Sequence, residues 1–245
     1  GDAGPSGPPG PNETTLTRWD DLPGVVLKIT AIAGGSGANG NLQAGDVPKI
    51  TFTVKRRDAR NVTLAELTSA AIYVSGPTSN YQRVVASQSD VKTRAVDKGD
   101  GTFTYTFANP LPATYLAPLN DSPSFDADDG ELTGQPLIDG TYTVAMQAYQ
   151  NFTINGVVYR DTGNDTFDFL LGTATALASR EVVGAANCNQ CHTQLRAHGG
   201  SRNELGVCLT CHTAGAEDRN VSTVEGGTPG VTIDFGVMVH RIHNA

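Results

Sequence analysis

The 245-residue chain sets 17 Lys and Arg against 25 Asp and Glu, a formal charge of −8 with a pI near 5.0. That balance argues against a nucleic-acid partner, because phosphate binding is driven by Lys and Arg, and no apolar run reaches the ~18 residues of a membrane-spanning helix. The length accommodates two domains with cores of their own, but the chemistry-bearing residues are confined to one part: all four Cys and all five His lie between 188 and 243.

In chain order, residues 1–20 come first. GDAGPSGPPGPN places Gly at 1, 4, 7 and 10, the triplet period of a collagen strand. Four triplets are too few for a triple helix, so the stretch reads as a semi-rigid polyproline-like tether. It implies attachment at the N-terminus. The opening residues have neither a charged n-region nor an apolar h-region, which reads as a chain whose targeting signal has been removed.

Residues 21–180 read as a β-domain. Short runs in which apolar and polar residues alternate predict strands over Val25–Ala33, Lys49–Lys55, Ala71–Ser75, Tyr81–Ala86, Thr102–Phe107, Thr141–Tyr149, Asn155–Arg160 and Thr166–Leu171. Gly, Asp, Asn and Pro fill the gaps. Strands in such number without intervening helices predict an antiparallel β-sandwich or split barrel, so the fold class is mainly β. Asp139-Gly-Thr-Tyr142 resembles the tyrosine corner of immunoglobulin-like sandwiches. Within the acidic loop 121–132, Asp126, Asp128, Asp129 and Glu131 offer oxygen ligands for Ca²⁺, although Glu131 stands where an EF-hand loop needs its sharp-turn glycine.

Residues 181–245 change character. From 185 onward the only aromatic residue is Phe235, too little apolar volume to build a core, so the segment needs staples, metals or a large cofactor to order it. Helices are predicted around Cys191–Ala197 and Phe235–His243. Two Cys-x-x-Cys pairs, Cys188/Cys191 and Cys208/Cys211, have the spacing of a four-cysteine zinc ribbon, and disulfides are a further option in an exported protein. Each pair, however, is followed at once by a histidine, His192 and His212. In Cys-x-x-Cys-His the thiols form thioethers with a haem and the adjacent imidazole ligates its iron. With 5 His in 245 residues, a chance His after both pairs is roughly a one-in-2,500 event.

Two covalent haem c groups are the reading this supports. The tail then offers His198, His240 and His243 as further iron ligands; Met238 is the one alternative there, so bis-histidine ligation is favoured over His/Met and implies lower potentials. A saturated iron leaves electron transfer as the chemistry, whereas an open position would make a gas sensor or small reductase. A third reading makes the β-domain a surface-docking module with the haems secondary. Two haems use two of the three histidines, and the one left over suggests a third haem from a downstream segment or a neighbouring subunit.

CNQCHTQLRAHGGSRNELGVCLTCHTAGAEDR followed by FGVMVHRIHNA resembles the first haem-binding segment of the OmcA/MtrC-type multihaem cytochromes, outer-surface proteins of metal-respiring bacteria. The resemblance implies thioether sites at Cys188, Cys191, Cys208 and Cys211, proximal ligands at His192 and His212, and distal ligands among His198, His240 and His243. It implies an exported protein at the outer cell surface, with the periplasm as the alternative. Electrons would come from other multihaem cytochromes and go to iron oxides or flavins, which leaves terminal metal reduction open. Relatives usually continue into more haem motifs, so the chain reads as a fragment of a longer protein, or as a short subunit that lends a histidine to a neighbour.

Overall fold

The computed structural model describes residues 22–117, 122, 124–181, 183–192, 194–218 and 228–244; the predicted tether lies outside them. Eight strands form two antiparallel sheets. β1 (Val26–Ala33), β2 (Lys49–Lys55), β5 (Val96–Asp97) and β6 (Thr102–Thr106) make one in the order β1-β2-β6-β5. β3 (Ser69–Gly76), β4 (Gln82–Arg83), β7 (Gly140–Ile154) and β8 (Val157–Leu171) make the second in the order β4-β3-β7-β8.

Alternation dictates the first sheet. β2 turns Ile50, Phe52 and Val54 inward while Lys49, Thr51, Thr53 and Lys55 stay at least partly wet, and β6 sends in Phe103 and Tyr105. From the second sheet Ile72, Val74, Tyr142, Val144, Met146 and Phe169 meet them in one contiguous core. Tyr142 behaves as the Asp-Gly-Thr-Tyr signature suggested: its buried hydroxyl donates to the Ile138 carbonyl (2.8 Å) and accepts from Tyr115 (2.7 Å).

β7 and β8 form a single hairpin paired over its full length from Ile154↔Val157 to Gly140↔Leu171. Its two-residue loop is Asn155-Gly156, with φ of 51° and 79°, the left-handed pair a type I′ turn demands. The two strands expected over 155–160 and 166–171 are therefore one. The polar run Asp161-Thr-Gly-Asn-Asp165, which looks like a break, stays extended because its side chains have partners elsewhere in the fold. Asp161 accepts from the Gly24 amide (2.7 Å) and Asp165 from the Ile29 amide (2.7 Å), which ties β8 to the β1 segment of the other sheet.

The second sheet departs from the half-wet pattern. β3 is buried at every position after Ser69, and β7 from Thr141 to Ala148. Its outward face, carrying Ala71, Tyr73, Ser75, Ala145, Asn164 and Thr166, is covered by the histidine-bearing segment. Besides α1 (Val91–Arg94), the helices are α2 (Ala185–Cys188), α3 (Leu205–Leu209) and α4 (Phe235–His243), and none is long and apolar enough to cross a membrane.

Candidate haem-binding site

Both Cys-x-x-Cys-His sequences adopt the same single turn. The Cys191 and His192 amides donate to the Cys188 carbonyl (3.2 and 2.9 Å), and those of Cys211 and His212 to the Cys208 carbonyl (3.1 and 2.9 Å). α2 ends at the first motif; Asn189 then takes the Leu195 amide (2.6 Å), so 191–197 is not the helix its sequence suggested.

The second motif is held by the sandwich. Val207 of α3, fully buried, packs on Ala71, Tyr73 and Ala145. Gly206 lets α3 come close, since a Cβ there would lie 2.8 Å from Thr166 Cγ2. Ser75 donates to the Thr210 carbonyl inside the motif (2.6 Å), and Gln82 to the Ala214 carbonyl (3.1 Å). Upstream, Asn164 holds the Ser201 carbonyl and the Asn203 amide, and Thr162 the Gly200 carbonyl.

His198 stands on a tight loop closed by Ala197 and Arg202, whose amides each donate to the other's carbonyl. It has φ of 51°, with Gly199 at 65° and Gly200 at 83°. A left-handed conformation costs a histidine about 1–3 kcal/mol and is found where function requires it. Ser201 Oγ (3.0 Å) and Arg160 Nη1 (3.4 Å) donate to the His198 carbonyl and hold the loop.

The five histidines fall into two facing pairs and a single residue. The ring centres of His192 and His243 are 6.2 Å apart, and those of His198 and His212 are 5.8 Å apart. Two imidazoles on opposite sides of one metal, with bonds of about 2 Å and about 1 Å more to each ring centre, stand roughly 6 Å apart. His240, exposed on α4, has no imidazole partner among the described residues.

Ring nitrogens are prepared for that role. His212 Nδ1 donates to the Ile233 carbonyl (2.9 Å) and His243 Nδ1 to the Val239 carbonyl (2.8 Å). A carbonyl only accepts, so in each ring the proton is on Nδ1 and the Nε2 lone pair is free for a metal. Burial, then the Arg202 charge, then His212, lower the His198 pKa to about 4, and burial lowers that of His212, so both rings are neutral at pH 7. Burial pushes the Cys208 thiol up to about 11.

The competing readings meet different geometry. All four cysteines are free, and among the described residues no three His, Cys, Asp or Glu side chains converge on one ion, so no four-thiolate cage is formed. In the acidic loop Asp126 and Asp129 form a capping box around the turn Ala127–Asp129, and the Glu131 carboxylate accepts from the Ser122 amide (3.4 Å).

Two Cys-x-x-Cys-His turns, the second seated on the outer face of the sandwich, each have another imidazole across from their own, a donor set that fits a c-type haem. Residues 180–245 match the family model described as outer membrane cytochrome MtrC/MtrF-like, domains II/IV. The chain is 29% identical over 211 residues to the multiheme cytochrome MtrC of Shewanella baltica (strain OS185), covering 80% of this chain and 28% of that protein. Its fold matches the crystal structure of MtrC from Shewanella baltica OS185 (TM-score 0.55, 22% identity, 89% of this chain, 32% of that one). It also matches the outer membrane decaheme cytochrome OmcA (TM-score 0.57, 19% identity, 91% and 33%). The chain is thus similar to cytochromes of the OmcA/MtrC type, over a third or less of these relatives' length.

Proposed function

We propose that this chain carries two covalently attached c-type haems and conducts electrons within an outer-surface conduit. In this reading the tether is 1–20, the sandwich 21–180 and the haem segment 181–245. Cys188 and Cys191 anchor the first haem between His192 and His243. Cys208 and Cys211 anchor the second between His212 and His198. The observation that carries the reading is the pair of facing imidazoles at each motif.

Haem supplies reversible one-electron chemistry at its iron; the chain supplies everything that makes this fast and selective. The two imidazoles at each site would both ligate the iron and so leave no position for substrate. Anchoring of Nδ1 by Ile233 and Val239 keeps the rings oriented without reorganisation. The sandwich keeps the second site rigid. Exposed His240 is the ligand for a third haem from a downstream segment or a neighbouring subunit. Its similarity to outer membrane cytochromes supports an outer-membrane setting; other multihaem cytochromes as electron partners and extracellular acceptors such as iron oxides or flavins belong to the same proposal. Terminal metal reduction belongs to the same proposal.

Intact mass tests the core of it. Chain matured in a host that attaches haem c is expected to exceed its polypeptide mass by two haems, and Cys188→Ala/Cys191→Ala by one. The reduced protein is expected not to bind carbon monoxide at neutral pH, and His198→Ala or His243→Ala to bind it at one site each. A colourless, zinc-loaded protein, or carbon monoxide uptake by the unaltered chain, would sink the reading.

A further inference from the structure

The two ligand sets have unlike surroundings. At the first motif Cys191, His192 and His243 are exposed. At the second, Cys208 is buried and His212 half-buried beneath the covering chain. A cation of defined geometry stands beside the second motif. Arg202, four residues beyond His198, donates from Nη2 to the Tyr73 hydroxyl (3.0 Å). Its guanidinium also lies over the Tyr73 ring, 5.5 Å from the centroid.

Arg202 is equipped for a further anionic partner. Its Nε is buried without a hydrogen-bond acceptor, and no ion pair engages the side chain among the described residues. A buried donor left open is costly unless something fills it. Tyr73 in turn packs with Val207 and Cys211 of the second motif, so the guanidinium is held beside it. Haem carries two carboxylates at its edge, and a guanidinium is the side chain suited to receive one.

We propose that Arg202, pinned by Tyr73 of the sandwich, receives a haem carboxylate at the second motif and, with the burial of that site, sets its reduction potential above that of the first. The oxidised iron centre is one charge more positive than the reduced one. A fixed cation and a less polar environment both disfavour that extra charge, so both raise the potential. One electron then passes spontaneously from the first site, which is oxidised, to the second, which is reduced, with no proton required. Charges about 10 Å apart at an effective dielectric near 20 interact by roughly a tenfold factor in an equilibrium.

The inference rests on the two-haem reading, and spectroelectrochemical titration of the haem-loaded chain separates the two. The expected result is two midpoints, with Arg202→Gln lowering the upper one by about tenfold in its reduction equilibrium, 59 mV for a one-electron couple, and leaving the lower in place. Cys188→Ala/Cys191→Ala, holding only the second haem, is expected to keep the upper midpoint. Arg202→Lys, which keeps the charge, is expected to recover most of the shift. Tyr73→Phe, which releases the guanidinium but keeps the ring, is expected to give an intermediate value and serves if Arg202→Gln does not fold. Unmoved midpoints in a folded, low-spin variant, equal shifts of both, or Arg202→Lys indistinguishable from Arg202→Gln would each overturn the assignment while leaving the haems in place. Absence of haem absorption would overturn the underlying reading instead.

Discussion

Ser75→Ala tests whether the sandwich holds the second Cys-x-x-Cys-His turn in place. Ser75 lies on the outward face of β3, and its hydroxyl donates 2.6 Å to the carbonyl of Thr210, between Cys208 and Cys211. Both residues are fully buried, so water cannot replace the lost donor. The substitution removes one atom and opens little cavity. Its cost is therefore the desolvation of an orphaned carbonyl, about 1–3 kcal/mol. At 1.4 kcal/mol per tenfold, the segment should open roughly 5- to 150-fold more often, provided that it opens as a local unit. Hydrogen exchange followed by mass spectrometry reads this directly. Amides over 205–214 are expected to exchange faster by that factor, while those of β2 and β6, on the other sheet, keep wild-type rates. Unchanged protection over 205–214, or an equal loss across both sheets, would refute the idea that this bond docks the motif.

Two further tests address packing and charge. Gly206→Ala is expected to destabilise the folded chain by about 1–3 kcal/mol through the clash with Thr166 Cγ2, despite the ~1 kcal/mol that Ala contributes as a better helix former; thermal unfolding of the double variant with Thr166→Ser should recover the loss. Glu66 closes a capping box with Thr63 and pairs with Arg56; the Thr63 amide is the largest cause of its pKa falling from 4.5 to about 2. A folded pKa below the unfolded one means that the unfolded chain takes up the proton first. The stability Glu66 contributes is therefore present above pH 4.5 and lost as pH falls towards 2. Denaturant titrations across that window should show a shallower acid loss for Glu66→Gln than for the wild type.

Local chemistry made much of the fold legible. Strict alternation in KITFTVK and TFTYT places β2 and β6, and Asp139-Gly-Thr-Tyr142 foretells the Tyr142 hydroxyl bond to Ile138. FGVMVHRIH becomes α4 between the Asp234 cap and Asn244. Elsewhere local reading misled. A short apolar-polar run after Cys191 suggested a helix that the Asn189 side chain ends by taking the Leu195 amide. The polar stretch Asp161–Asp165 suggested a loop because its partners, the Gly24 and Ile29 amides, lie about 136 residues away in sequence.

At the candidate site the division is sharper. Cysteine and histidine chemistry is intrinsic to Cys-x-x-Cys-His, so the proposal of a haem site with His192 and His212 as proximal imidazoles comes from spacing alone. Which distant histidine faces which proximal one could not, because the two pairs are set by a left-handed loop at His198 and by where α4 returns to the first motif. Nor could the role of Tyr73, Ser75, Asn164 and Thr166. In a strand, polar residues on the outward face look the same whether water or protein covers them. Only the tertiary structure decided that a segment without a core of its own borrows one from the outer face of a β-sheet, and that one of its two Cys-x-x-Cys-His turns is buried there while the other stays open to solvent.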